Sequence, residues 1–166
     1  MINESYPDNS KIADIVVWDD KYATGIGVID AQHKHLLEMT NSLYKACITR
    51  DKELETVFKN VMSDMVKYVH FHFDAEINLL HAVKYPDCHN HKMKHDALIK
   101  DILAVVKEYH EGKHFVPNRF VRTLRDWILS HIAINDSEYG IFVHEQIKSG
   151  KLTEKALKEI EKSIEV

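Results

Sequence analysis

A chain of 166 residues can bury a core without disulfide staples and is short enough to form one domain over residues 1–166. Its composition, 45% apolar and 29% charged, excludes a disordered chain, and a net charge of −4 argues against a nucleic-acid partner, which wants a basic face. No apolar run approaches the roughly 18 residues of a membrane span, and the opening MINESYPDNS lacks the pattern of a secretory signal, so a cytoplasmic protein without a membrane partner is expected.

Residues 1–29 carry turn signals at Pro7, Gly25 and Gly27 and little helical periodicity. They form an N-terminal arm, and its apolar patch Ile15-Val16-Val17-Trp18 is suited to lie across a core. Asp30 is the expected N-cap of a first helix running to about Arg50. The inward stripe of that helix is His33, Leu36, Leu37, Thr40, Leu43, Tyr44 and Cys47.

Asp51 is the expected cap of a second helix ending near Val83. Its inward residues are Leu54, Val57, Phe58, Val61, Met65, Tyr68, Val69, His72, Glu76, Leu79 and Leu80. Pro86 ends the connection, Asp87 caps a third helix, and Gly112 closes it. Here the inward residues are His91, His95, Leu98, Ile102, Val105, Val106 and Tyr109. Pro117 opens a fourth helix ending near Gly150, with Phe120, Leu124, Trp127, Ile128, His131, Ile134 and Ile141 along one stripe.

Residues 150–166 form a short amphipathic helix with Leu152, Ala156, Ile160 and Ile164 recurring every four residues. That stripe suits packing on its own bundle, or else a protein partner or oligomer contact. No strand-like alternation competes with these patterns. Short connections make successive helices antiparallel, so the expected fold is all-α: an up-down-up-down four-helix bundle over about residues 30–149.

Cys47 and Cys88 belong to no metal-finger or redox spacing and are expected to be free thiols in a reducing compartment. The unusual count is histidine, at twelve residues. Residues four apart on an α-helix differ by about 40° around its axis and share a face. His72 and Glu76 are such a pair, and so are His91 and His95. With His33 and His131, they bring six polar groups from four helices into the bundle interior.

A lone buried histidine is more often a satisfied core residue than a ligand. Six convergent polar groups are different, because each one left unpaired costs roughly 1–3 kcal/mol. A metal centre satisfies them together. Five imidazoles exceed the needs of a four-ligand zinc site and suit two metals, which need bridging carboxylates to offset their repulsion. Glu76 is one bridge. Near His131 the choices are Asn135, Asp136 and Glu138; a strict helical wheel favours Asn135 or Glu138, since Asp136 lies about 140° from His131.

Trp18, Gly25, the run Ile29-Asp30-x-Gln32-His33, His72-Phe73-x-x-Glu76, Tyr85-Pro86, His91-x-x-x-His95 and Trp127-x-x-x-His131-Ile132-x-x-x-Asp136 resemble the hemerythrin family. The resemblance spans roughly residues 18–140. It implies Asp136, five residues after the last histidine, as the second bridge, and all seven ligand positions are filled. It further implies two iron ions joined by Glu76, Asp136 and a solvent-derived oxo or hydroxo group. His91, His95 and His131 would saturate one iron; His33 and His72 would hold the other, whose open position takes O2.

Around that open position the expected apolar pocket is Leu36, Phe73, Trp127, Ile128 and Ile132. The chain departs from the family's pattern at Ile77, where a second glutamate is common, and at Leu80, where methionine is common. His81 lies about 180° around the helix from His72 and is expected in solvent. His35, His70, His89, His110, His114 and His144 are likewise expected at the surface or in turns.

The resemblance implies reversible O2 binding for storage, delivery or sensing, and not an enzyme. The alternatives are a diiron enzyme acting on O2, peroxide or nitric oxide, and an oxygen-responsive partner-binding module. Ferritin-like oxidases use two Glu-x-x-His motifs on helices. This chain has one, Glu111 to His114, interrupted by Gly112.

Overall fold

The computed structural model describes residues 12–49, 54–113 and 116–165, without the side chains of Thr49, Leu54 and Val57. Pro7, Arg50, Asp51 and His114 lie outside the described residues, as do the side chains of Leu54 and Val57. Long helices run as α1 (Gly27–Thr49), α2 (Leu54–Ala82), α3 (Cys88–His110) and a composite fourth rod. That rod joins α4 (Val116–Trp127), a π-helical segment (Ile128–Asp136) and α5 (Ser137–Lys148) without a break. A final helix, α6 (Glu154–Ile164), follows a short turn. No strand occurs among the described residues.

Helix α1 packs on α2 and on α4, and α3 closes the ring between α2 and α4. This is the four-helix bundle expected from the short connections. Its core has two parts. The larger, built around Leu43, Phe58, Met65, Phe120 and Leu124, fills one end. The smaller, built around Ile26, Ile29, Leu79, Tyr139 and Val143, fills the other.

Backbone closures explain where the helices stop. Lys84, Gly112 and Gly150 take the left-handed conformation, with φ of 57°, 71° and 74°. After each, an N–H reaches back five residues: Tyr85 to Leu80, Lys113 to Glu108 and Lys151 to Gln146. This is the closure that satisfies otherwise orphaned carbonyls at a helix end. Asp87 does occupy the N-cap position of α3, but its side chain caps no backbone N–H and instead accepts from Asn90 at 2.5 Å.

Asp30 is not the N-cap of α1. The helix begins three residues earlier, at Gly27, and the Asp30 carboxylate reaches back from the first turn. It accepts from Thr24 N and Thr24 Oγ1 at 2.8 Å each, and from Gly25 N at 3.1 Å. The acidic residue still satisfies donors at the positive end of the helix, but from inside it.

The N-terminal arm is tied down by the Asn41 amide. Its Oδ1 accepts from Ile15 N and Val16 N, and its Nδ2 donates to Val16 O. Val16 enters the larger core. Further along, the arm touches α5 so closely that a Cβ on Gly140 would stand 2.6 Å from Thr24 O. Only glycine fits there.

The tail stripe packs on its own bundle. Ile164 is buried in the smaller core, and Leu152, Ala156 and Ile160 are partly buried. Leu157, from outside the stripe, is buried there as well, and α6 lies against α1 and α2. No helix among the described residues is long and apolar enough to cross a membrane.

Candidate metal centre

The fourth rod departs from the helical-wheel expectation where the chemistry is, and it turns inward the Asp136 that the family resemblance implied. Over Ile128–Asp136 the helix widens to a π-helix, whose hydrogen bonds run between residues five apart. Each inward position beyond His131 therefore arrives one residue later than an α-helical wheel predicts. Asp136 is fully buried where the wheel favoured Asn135, and Tyr139 where it favoured Glu138. Ile134 and Ile141, expected inward, are 56% and 61% exposed. Asn135 accepts instead from Lys94 Nζ and donates to Ser130 O, outside the cluster. Glu138 is exposed.

His33, His72, Glu76, His91, His95, His131 and Asp136 are each at most 2% exposed and converge on the bundle interior. Two groups form within them. One is Glu76, His91, His95, His131 and Asp136; the other is His33, His72 and Glu76. In each group one ligand-capable atom per residue lies within 4.8 Å of all the others.

The two carboxylates span the groups. Asp136 Oδ2 stands 3.3 Å from His33 Nε2, while its Oδ1 stands 3.1 Å from His131 Nε2 and 3.5 Å from His91 Nε2. Glu76 Oε1 lies 3.6 Å from His33 Nε2, and its Oε2 lies 2.9 Å from His95 Nε2 and 3.4 Å from His91 Nε2. His72 Nε2 is 3.7 Å from Glu76 Oε2. Asp136 thus turns one oxygen toward each side, while Glu76 turns Oε1 toward His33 and shares Oε2 among His72, His91 and His95.

Within the cluster His91 Nε2 pairs with Glu76 Oε2 at 3.4 Å and His95 Nε2 with His131 Nε2 at 3.0 Å, but other atoms are close without being aligned as donors and acceptors. His33 Nε2, His72 Nε2 and both Asp136 oxygens are buried with no hydrogen-bond partner among the described residues. Leaving several such groups unmatched in a low-dielectric core is costly. Lone pairs crowded together and aimed at common points are what cations need. Nitrogen with carboxylate oxygen, and no thiolate, is a donor set that suits iron. The residues fit a two-metal centre.

Electrostatics agree with this. Burial pushes the Glu76 carboxyl up, but the imidazoles of His72, His33, His91 and His95 outweigh it and hold the carboxyl well below the usual range. Burial and Glu76 push Asp136 up, yet His131 and His33 keep it below the usual range too. His33 is opposed by burial but raised to about 9 by Asp136 and Glu76. Burial dominates at His72 and lowers it to about 4.

Two residues near the centre were given no role by the sequence. Tyr139, fully buried, donates its hydroxyl to Glu76 Oε1. Gln32 accepts through Oε1 from His72 Nδ1 at 2.8 Å. Gln32 was visible beside His33, but nothing in its spacing predicts a contact with another helix. Tyr139 stands three residues after Asp136, a same-face spacing that became usable only once Asp136 was known to point inward.

The apolar residues expected around an open position all lie in the larger core: Leu36, Phe73, Ile128 and Ile132 buried, Trp127 partly so. Phe73 stacks on His95 with ring centroids 3.6 Å apart, and Trp127 stacks on His131 at 4.7 Å. These two rings therefore make their stacked contacts on the three-histidine side. His81 is exposed, and so are His35, His70, His89, His110 and His144.

A family model for the hemerythrin HHE cation-binding domain matches residues 24–140. The chain belongs to the hemerythrin family. It is 32% identical over 124 residues to a bacteriohemerythrin of Pseudomonas aeruginosa, covering 75% of this chain and 78% of that relative. A bacteriohemerythrin of Methylococcus capsulatus is 29% identical over 120 residues, with 72% and 89% covered. A crystal structure of a hemerythrin point mutant superposes with a TM-score of 0.67 at 28% identity, covering 77% of this chain and 96% of that one. The hemerythrin match ends at Gly140, so most of α5 and all of α6 lie beyond it.

Proposed function

We propose that this hemerythrin-family chain holds a non-haem diiron centre and binds O2 reversibly. His91, His95 and His131 would hold one iron, His33 and His72 the other, and Glu76 and Asp136 would be shared between them. The observation that carries this reading is the unequal division of five imidazoles about two shared carboxylates. One metal would have three imidazoles beside the two carboxylates and the other only two, so the second would have one protein ligand fewer and room for O2.

When bound, the iron pair supplies electrons to O2 and recovers them as O2 leaves. The protein's part is to hold the site rigid, dry and poor in carboxylates. Imidazoles are neutral ligands, which favour ferrous iron more than carboxylates do. Tyr139 occupies one Glu76 oxygen as a donor and draws negative charge from it. Leu36, Phe73, Trp127, Ile128 and Ile132 form an apolar wall that admits a small apolar gas and slows entry of water. That wall supports binding over turnover. We place the protein in the cytoplasm, in keeping with its two free cysteines.

The test is metal analysis and a visible spectrum of the purified protein under argon, then air, then argon again. Two irons per chain and a colour that appears in air and fades under argon are expected. Prompt bleaching to a stable ferric form would favour an enzyme, and a single zinc without colour would overturn the reading.

A further inference from the structure

We propose that Gln32 is a positioning residue that fixes which nitrogen of His72 carries the proton, and so makes Nε2 available to a metal. The proposal rests on the diiron reading above. A neutral imidazole carries one N–H, and only its bare nitrogen can bind a cation. His72 Nδ1 lies 2.8 Å from Gln32 Oε1, while His72 Nε2 faces Glu76 and lacks a hydrogen-bond partner among the described residues. A carbonyl oxygen only accepts, so the ring proton sits on Nδ1 and Nε2 is left bare.

The opposite orientation of the amide would put an N–H against Nδ1 and force the proton onto Nε2. That would block the ligand position. The direction of one glutamine amide is therefore equivalent to the presence or absence of a ligand on the two-histidine side. Here the loss of one of only two imidazoles matters most.

Gln32 is 8% exposed, and its backbone carbonyl accepts from the hydroxyl of Tyr68, which anchors the residue's main chain beside His72. The amide Nε2 is buried with no partner among the described residues, so the bond from His72 is the side-chain amide's one hydrogen bond among them. The Tyr68 ring lies stacked along His72, with centroids 5.8 Å apart and planes 12° apart. Tyr68 thus touches both members of the pair. The neighbouring residue is His33, so one turn of α1 supplies a ligand and, one position earlier, the group that orients the other ligand from α2. By contrast, His33 Nδ1 and His95 Nδ1 are buried with no partner among the described residues. Hydrogen-bond partners on the far nitrogen of a metal-binding histidine are worth about 10-fold to 100-fold in metal affinity.

The experiment compares the full-length wild type with Gln32→Leu and Gln32→Glu by two measurements. Nitrogen NMR of the imidazoles in the metal-free chain reports the His72 tautomer. Competition with a chelator reports the affinity of each iron. Gln32→Leu is expected to lose the dominant Nδ1–H form and to weaken one iron by about 10-fold to 100-fold, leaving the other in place. Gln32→Glu keeps an acceptor and is expected to restore both readings. An unchanged tautomer and unchanged iron affinities in Gln32→Leu would overturn the proposal, as would an Nε2–H form in the wild type. If the wild type takes up no iron, the diiron reading fails, and the tautomer measurement still decides the role of Gln32.

Discussion

Asp136 Oδ1 sits 3.1 Å from His131 Nε2, although the two residues are five apart on one continuous rod. In an α-helix that separation would turn the carboxylate about 140° away. The π-helical stretch supplies the missing rotation. Asp136→Ala is therefore expected to lose iron from the bridged pair, while Asn135→Ala and Glu138→Ala retain two irons per chain. Metal analysis of the three variants decides between the π-helical and α-helical registers.

The same register can be tested on the backbone. Deleting exposed Ile134 leaves a separation of four, which shares a face in an ordinary α-helix. That variant is expected to keep its iron. Inserting an alanine after Ile134 makes the separation six, which shares a face in neither geometry, and iron should be lost. Retention of iron after the insertion would mean that Asp136 is not a ligand.

Among the histidines, burial separates ligands from bystanders. His95→Ala should release iron from the three-histidine side, whereas His81→Ala should leave occupancy full, because His81 is exposed. Iron loss in the His81 variant would show that the cluster extends beyond the seven residues.

Tyr139 offers a stability test. Removing the hydroxyl with Tyr139→Phe leaves Glu76 Oε1 without its donor in a fully buried site. Hydrogen bonds to charged groups are worth about 1.5–3 kcal/mol, so a loss near 2 kcal/mol is expected in urea unfolding of the metal-free chain. A change below about 0.5 kcal/mol would rank this contact as incidental.

The pH dependence of the metal-free protein has two opposite limbs. His33 is raised from 6.5 to about 9 once folded, so its contribution is complete below 6.5 and is lost as the pH rises through about 9. His72 is lowered from 6.5 to about 4, so its contribution is present above 6.5 and is lost as the pH falls through about 4. Stability should peak between these limits. Iron binding near neutral pH must also expel the His33 proton. Calorimetry in buffers of different ionisation enthalpy measures that release, and a value of zero would contradict the raised His33.

Outside the family match, α6 is expected to matter for stability and not for the metal. Leu157 is 7% exposed and packs in the core shared by Ile29 and Leu79. Leu157→Ala should cost about 2–5 kcal/mol by denaturant midpoint, with two irons still bound at low temperature.

What the sequence by itself determined was whatever depends on a single regular helix. The pairs His72–Glu76 and His91–His95 needed only a spacing of four, and their burial follows from the apolar residues recurring around them. Helix count, antiparallel order and the closures at Gly112 and Gly150 were legible for the same reason: period and turn chemistry are local properties. The tertiary structure decided what depends on departures from regularity or on contacts between helices. Asp136, which the resemblance implied and helical periodicity did not, turns inward through a widened turn whose i→i+5 hydrogen bonds leave no periodic mark in the sequence. Asp30 reaches back from inside α1 because the arm brings Thr24 within range of its carboxylate. Gln32 on His72 and Tyr139 on Glu76 are partners 40 and 63 residues apart. They meet because the bundle packs α1 and α5 around the same buried charges as α2, and no spacing along one chain segment encodes that meeting.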